Sequence, residues 1–145
     1  MSVFAKINGK WEEVANMGAG GGGKGIQYLV CESAAADANK VADCEAADGL
    51  AVAVKFVNGN TYGTINTTAH TATGPTFNGK PIKVGNRQMG PAAIVAGDVH
   101  VLVFSEADDC WHDATADIVY HNANEIMYRN GSYMTWNGSD LNIVF

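Results

Sequence analysis

The sequence predicts an all-β fold: an antiparallel β-sandwich, jelly-roll-like, with an N-terminal hairpin and a C-terminal β-meander. Three observations carry this. Leu50, Val52, Val54 and Phe56 alternate with Ala51, Ala53, Lys55 and Val57, the period of two expected of a strand with one strongly apolar face. Gly supplies 17 of 145 residues, well above the roughly 7% of an average protein, which favours many turns between short strands. No stretch carries the 3.6-residue periodicity of a long amphipathic helix.

In chain order, Ser2 to Val14 reads as a hairpin. Asn8-Gly9 is the preferred pair for a tight turn whose central residues both need positive φ, and Trp11 is the apolar anchor of its arms. Met17 to Gly25 is a flexible linker by composition. Gly18 to Lys24 matches G-x-x-x-x-G-K, but Gly25 stands where a phosphate loop needs Ser or Thr, and a strand rather than a helix follows. Ile26 to Cys31 is a strand, Glu32 to Asn39 a helical turn or loop, and Lys40 to Glu45 a short strand. After the strand at 50–57 comes a polar excursion rich in Asn, Gly and Thr, then a short strand at Pro81 to Val84. Asn86 to Gly97 is loop, with a short strand near Ala92 to Val95. Asp98 to Ser105 is the second strong strand, and Glu106 to Asp113 an acidic turn containing Trp111. Asp117 to Tyr120 and Asn124 to Arg129 read as strands. Asn130-Gly131 and Asn137-Gly138 bracket SYMTW, with LNIVF after it, which gives a meander of three short antiparallel strands. The implied organisation is an attachment hairpin at 1–16, a linker at 17–25, the sandwich at 26–116 and the meander at 117–145.

Net charge is −6, and the scattered Lys and Arg argue against nucleic acid as a partner. No apolar run approaches the length of a membrane span, so no membrane insertion is expected. The N-terminus lacks a basic start followed by an apolar core, so synthesis in a cytoplasm is expected. Cys31, Cys44 and Cys110 fit neither a disulfide framework nor a zinc knuckle and read as reduced, small apolar groups; whether Cys31 and Cys44 pair stays open.

His70, His100, His112 and His121 show no i, i+4 pair and no adjoining Cys cluster, and read as loop and surface residues. Cys110-Trp111-His112 is weighed as a thiol–imidazole pair and set aside, because neighbouring residues on a strand point to opposite faces. Glu106, Asp108, Asp109, Asp113 and Asp117 do not follow the order of a calcium loop and read as a solvated acidic turn. Tyr62, Tyr120, Tyr128, Tyr133 and Trp136 are candidates for core, subunit interface or sugar stacking. No catalytic, cofactor-binding or metal residue is assigned, and no enzyme is expected.

In Asp98 to Ser105, Val99, Val101 and Val103 share one face and His100, Leu102 and Phe104 the other. A sandwich strand normally turns one face to water. Two apolar faces call for a further layer, either the meander or a second copy of the chain, and a homo-oligomer is the simpler expectation.

The segments CESAAADANKVADCEAADGLAVAVKFVNGNTYG, GPTFNGKPIKV and VAGDVHVLVFSEADDCW follow one another as in a module of tailed-bacteriophage structural proteins. From Cys31 to about Trp111 the chain resembles tail fibres, head fibres and related appendages. It departs from them in a shorter Phe77-Asn78-Gly79, an added TINTTAHTAT, and FSEADDC where Tyr-Asp-Gly is expected. The resemblance implies a β-rich, non-enzymatic virion structural protein: a short fibre, appendage or capsid decoration, commonly oligomeric and here a homotrimer. It would attach to other virion proteins through its N-terminal hairpin. The alternative expectation is a carbohydrate-binding module that recognises a host-surface glycan.

Overall fold

A computed structural model describes residues 2–7, 9–16 and 25–145. The expected linker, with its phosphate-loop spacing and Lys24, lies outside the described residues except for Gly25, as do Asn8 of the first turn and the docking of the Trp11 side chain. Strands β1 (Ser2–Ile7) and β2 (Lys10–Asn16) pair antiparallel as the expected hairpin. Gly9 takes φ +80°, the conformation that favours glycine.

The described residues contain no helix; the fold is all-β. β3 (Gln27–Cys31), β4 (Asn39–Lys40), β5 (Ala51–Phe56), β8 (Thr76–Phe77), β9 (Lys80–Val84), β11 (Val99–Ser105) and β12 (Cys110–Asp113) form one curled sheet. Its order is β3-β5-β11-β12-β9-β8-β4, and β10 (Arg87–Gln88) pairs with β9. The sheet is mixed rather than wholly antiparallel. β3 with β5, β12 with β9, and β4 with β8 run parallel. Parallel neighbours need a crossover, and the segments after β3, β4 and β9 supply the three. The polar excursion contains its own hairpin, β6 (Thr64–Asn66) with β7 (Thr71–Thr73).

Several sequence expectations shift. Lys40 to Glu45 forms no strand beyond Lys40, whose fully buried Nζ donates to the carbonyls of Ala34 (2.5 Å) and Ala35 (3.1 Å). That pins the loop before it to the sheet. Ala92 to Val95 is a turn, with Ala92 at φ +64°. The acidic turn ends at Asp109; Cys110 to Asp113 is strand β12. Asn86 to Gly97 is not all loop, because Arg87 and Gln88 turn back on Val84 and Lys83.

The core lies inside the curl. Val52, Val54 and Phe56 are fully buried, so the register read from the alternation holds. Trp111 sits among them edge-on to Phe77 (5.2 Å) and Phe104 (5.1 Å). Its indole N–H donates to the Phe77 carbonyl at 3.0 Å, which satisfies its one polar atom.

All four C-terminal segments read as strands are strands: β13 (Ile118–His121), β14 (Glu125–Tyr128), β15 (Tyr133–Trp136) and β16 (Leu141–Val144) form one sheet, in which β13 joins the three-stranded meander. Val119, Tyr120 and Met127 belong to the same buried cluster as the curled sheet. Backbone bonds from Gly90 N to Val119 O (2.7 Å) and from His121 N to Pro91 O (2.9 Å) seat it there. Gly90 is required at this seam. A Cβ on it would meet the Cβ atoms of Ala72 at 2.5 Å and Tyr120 at 2.8 Å.

Candidate functional site

Strand alternation sorts β11 cleanly. His100, Leu102 and Phe104 point into the core, where the chain itself covers them. Val99, Val101 and Val103 point outward. Register aligns Val101 with Ala53 and Tyr28, and Val99 with Lys55 and Val30. Tyr28 is 58% exposed, and Val30 and Val99 are each 48% exposed. The outer face of β3, β5 and β11 is therefore apolar and uncovered by the described residues, with Lys55 its one charged residue. Of the two faces of Asp98 to Ser105, it is the valine face that is left bare.

A second apolar surface lies at the far edge of the meander. β16 is the terminal strand of its sheet and is exposed along its whole length. Leu141, Ile143, Val144 and Phe145 all face solvent, and Trp136 beside them is half-exposed. A terminal strand also presents unpaired backbone N–H and C=O groups, which template pairing with another chain. The remaining candidate aromatics divide: Tyr120 is buried, Tyr128 and Tyr133 are half-buried, and Tyr62 is exposed. Tyr62 rims a shallow depression of about 340 Å³ with Ala36, Thr64 and Thr73.

Three of the four histidines pair with carboxylates: His100 is buried, His70 and His112 are partly exposed, and His121 is exposed. His100 is buried on β11, with Nδ1 2.6 Å from Asp113 Oδ2. Asp113 Oδ1 accepts from Thr115 N, Thr115 Oγ1 and Ala116 N. Burial works to raise the Asp113 carboxyl, but the bond to His100, its charge and the Thr115 donors hold it below the ordinary carboxylate value. Arg129 donates to the carbonyls of Asp113 and Ala116, joining this strand end to β14. On the opposite side, Glu125 is buried between His70 Nδ1 (2.6 Å) and the Tyr120 hydroxyl (2.5 Å). Burial, together with Glu125, pushes Tyr120 far above the ordinary phenol value.

The acidic group separates in the same way. Glu106, Asp108 and Asp109 form an exposed turn, Asp117 is exposed beyond β12, and Asp113 is core. Asp109 pairs with Lys80 at 2.8 Å and takes φ +51°, the conformation a glycine would supply in a tight turn.

Cys110 and His112 are two residues apart on β12, so they share a face; it is Trp111 between them that points the other way. Cys110 Sγ lies 3.6 Å from His112 Nε2, and Asp108 Oδ2 lies 2.8 Å from the same nitrogen. The bond from His112 lowers the Asp108 carboxyl, while burial pushes the Cys110 thiol up. A raised thiol is a poor nucleophile. A relay also needs the carboxylate on the other ring nitrogen, so the trio is not built as a Cys–His–Asp triad. Cys31 and Cys44 are likewise free thiols, and Cys44 Sγ contacts Asn78 Nδ2 at 3.3 Å. Compared with known protein families, curated proteins and solved structures, the chain matches none.

Proposed function

We propose that the chain is a non-enzymatic structural component of a tailed-phage virion, a short fibre, appendage or capsid decoration, that assembles with copies of itself. The virion part comes from the ordered resemblance between Cys31 and Trp111. The assembly part is carried by one observation: two apolar, nearly uncharged surfaces on a chain of net charge −6. Copies with that charge repel one another, least where the approaching faces are neutral. The valine face and β16 are such faces, so the occupant they suit is another copy of this chain. The N-terminal hairpin serves in this reading as the attachment element to other virion proteins.

Immunogold labelling of phage particles with antibody against the chain tests the assignment. Label on tails or capsids supports it; particles that carry no label overturn it. The rival reading, a carbohydrate-binding module for a host glycan, draws on Tyr62, an exposed ring that lines one depression with Thr64 and Thr73, whose hydroxyls bond to each other at 2.7 Å. Specific hits on a glycan array that vanish in Tyr62→Ala favour it.

A further inference from the structure

We propose that Asp108, Cys110 and His112 form a binding site for a divalent transition metal of the zinc class. Three different ligand types converge here. Strand β12 places Cys110 and His112 on one face, and the turn at 106–109 brings Asp108 round beside them, held by a bond from its own N–H to Ser105 Oγ. The thiol sulfur, the imidazole nitrogen and the carboxylate oxygen all lie within 4.8 Å of one another.

The separations suit a tetrahedral ion. With Zn–S about 2.3 Å and Zn–N about 2.0–2.1 Å, a sulfur and a nitrogen on one zinc stand about 3.6 Å apart. The distance from Cys110 Sγ to His112 Nε2 is 3.6 Å. Nitrogen and oxygen on one zinc stand about 3.4 Å apart; the pair of His112 and Asp108 at 2.8 Å is a hydrogen bond that opens by a rotation of the Asp108 side chain to admit the ion. His112 turns the same nitrogen to both partners, as ligands of one shared ion do.

The donor set also selects the ion. A thiolate and a carboxylate neutralise a dication. Sulfur with imidazole favours zinc, cobalt or a similar ion over calcium and magnesium, which take oxygen. The Asp108 and His112 side chains are 52% and 39% exposed, so an ion enters from solvent and a water completes its shell, while Cys110 forms the buried floor. Lys80 is engaged by Asp109. Lys83, opposite His112 on β9, is the nearby positive charge that opposes a cation.

The test is a cobalt titration of the full chain, reduced and metal-free. One equivalent of Co²⁺ is expected to give a thiolate-to-cobalt band in the near ultraviolet and d–d bands in the visible, both bleached by Zn²⁺. Cys110→Ser should remove the thiolate band. His112→Ala, at a half-exposed position that tolerates truncation, should weaken binding by more than about 100-fold and Asp108→Asn by more than about tenfold, since losing even an outer-shell partner of a metal ligand costs about 10–100-fold. Cys44→Ser should leave the spectrum unchanged. The absence of a thiolate band at stoichiometric cobalt overturns the site, and so does a band that survives both Cys110→Ser and His112→Ala.

Discussion

His70 Nδ1 and Glu125 Oε1 lie 2.6 Å apart although 55 residues separate them in the chain. The pairing ties the Thr-rich β6–β7 hairpin to the meander, and the His70 ring stacks on Tyr133 at 4.1 Å. His70 sits in the hairpin turn at φ +56°, which aims its ring across the gap. Replacing His70 with Ala leaves a buried carboxylate short of a partner and should cost about 1–3 kcal/mol. The local signature is faster amide exchange in Thr64 to Thr73 than in β5. Protection unchanged in that hairpin shows that Glu125 does not hold it.

Phe56→Ala should destabilise by about 3–5 kcal/mol, because a fully buried ring is lost from a packed site. Phe56 lies edge-on to Phe77 (6.3 Å) and His100 (5.6 Å), so few neighbours can move in to fill the space. Urea denaturation reads the loss. An unchanged midpoint is incompatible with this packing.

Acid stability should depend on Asp113. Its carboxyl is held below the ordinary value by His100 and Thr115, against the opposing effect of burial. Such a group binds its proton more weakly in the folded chain than in the unfolded one. It stabilises the fold above its unfolded value, about pH 4, and that contribution is lost as pH falls from there through the folded value. Asp113→Asn should lower stability at pH 7 and flatten the fall below about pH 4. Denaturation midpoints measured from pH 7 to pH 2 check both. An acid limb as steep in the variant as in the parent assigns it to other carboxylates.

The strong strands were legible because their pattern is local. The alternation at 50–57 and at 98–105 gave the strands, and at 50–57 the buried face as well. Asn130-Gly131 and Asn137-Gly138 marked the meander turns, although there only the glycines take positive φ. Asn78-Gly79 carries the same signal, and there both residues do, at +47° and +83°; within a polar excursion it lacked the long apolar arms that make such a turn conspicuous. Parallel pairing was not legible, since side-chain alternation is the same for either direction. Nor were the carboxylate partners of His70 and His100: Glu125 lies 55 residues from His70, and Asp113, on the next strand, meets His100 through the folding back of β12 on β11 and not through a local spacing motif. The spacing of Cys110 and His112 was legible. Residues two apart share a strand face, and the sign was missed by attending to Trp111 between them and by treating the segment as a turn.

The chain should be an oligomer in solution, and a trimer is the expected size. Each copy carries two different apolar patches, the valine face of β3, β5 and β11 and the edge strand β16. Contact between unlike patches is heterologous, and heterologous contacts close into rings when the rotation allows; three-fold closure follows from the fibre resemblance. Light scattering at micromolar concentration should give about 45 kDa, three times the 15.2 kDa of one chain. Ile143→Asp places a charge on the edge strand, and Val101→Asp places one amid the valine face. Neither side chain contributes to the buried core, so both variants should fold and run as monomers. A parent mass near 30 kDa, twice 15.2 kDa, points to a two-fold contact of one patch with itself and rejects three-fold closure. A parent mass of 15.2 kDa that persists on concentration rejects self-association, and with it the assembly role given to both surfaces.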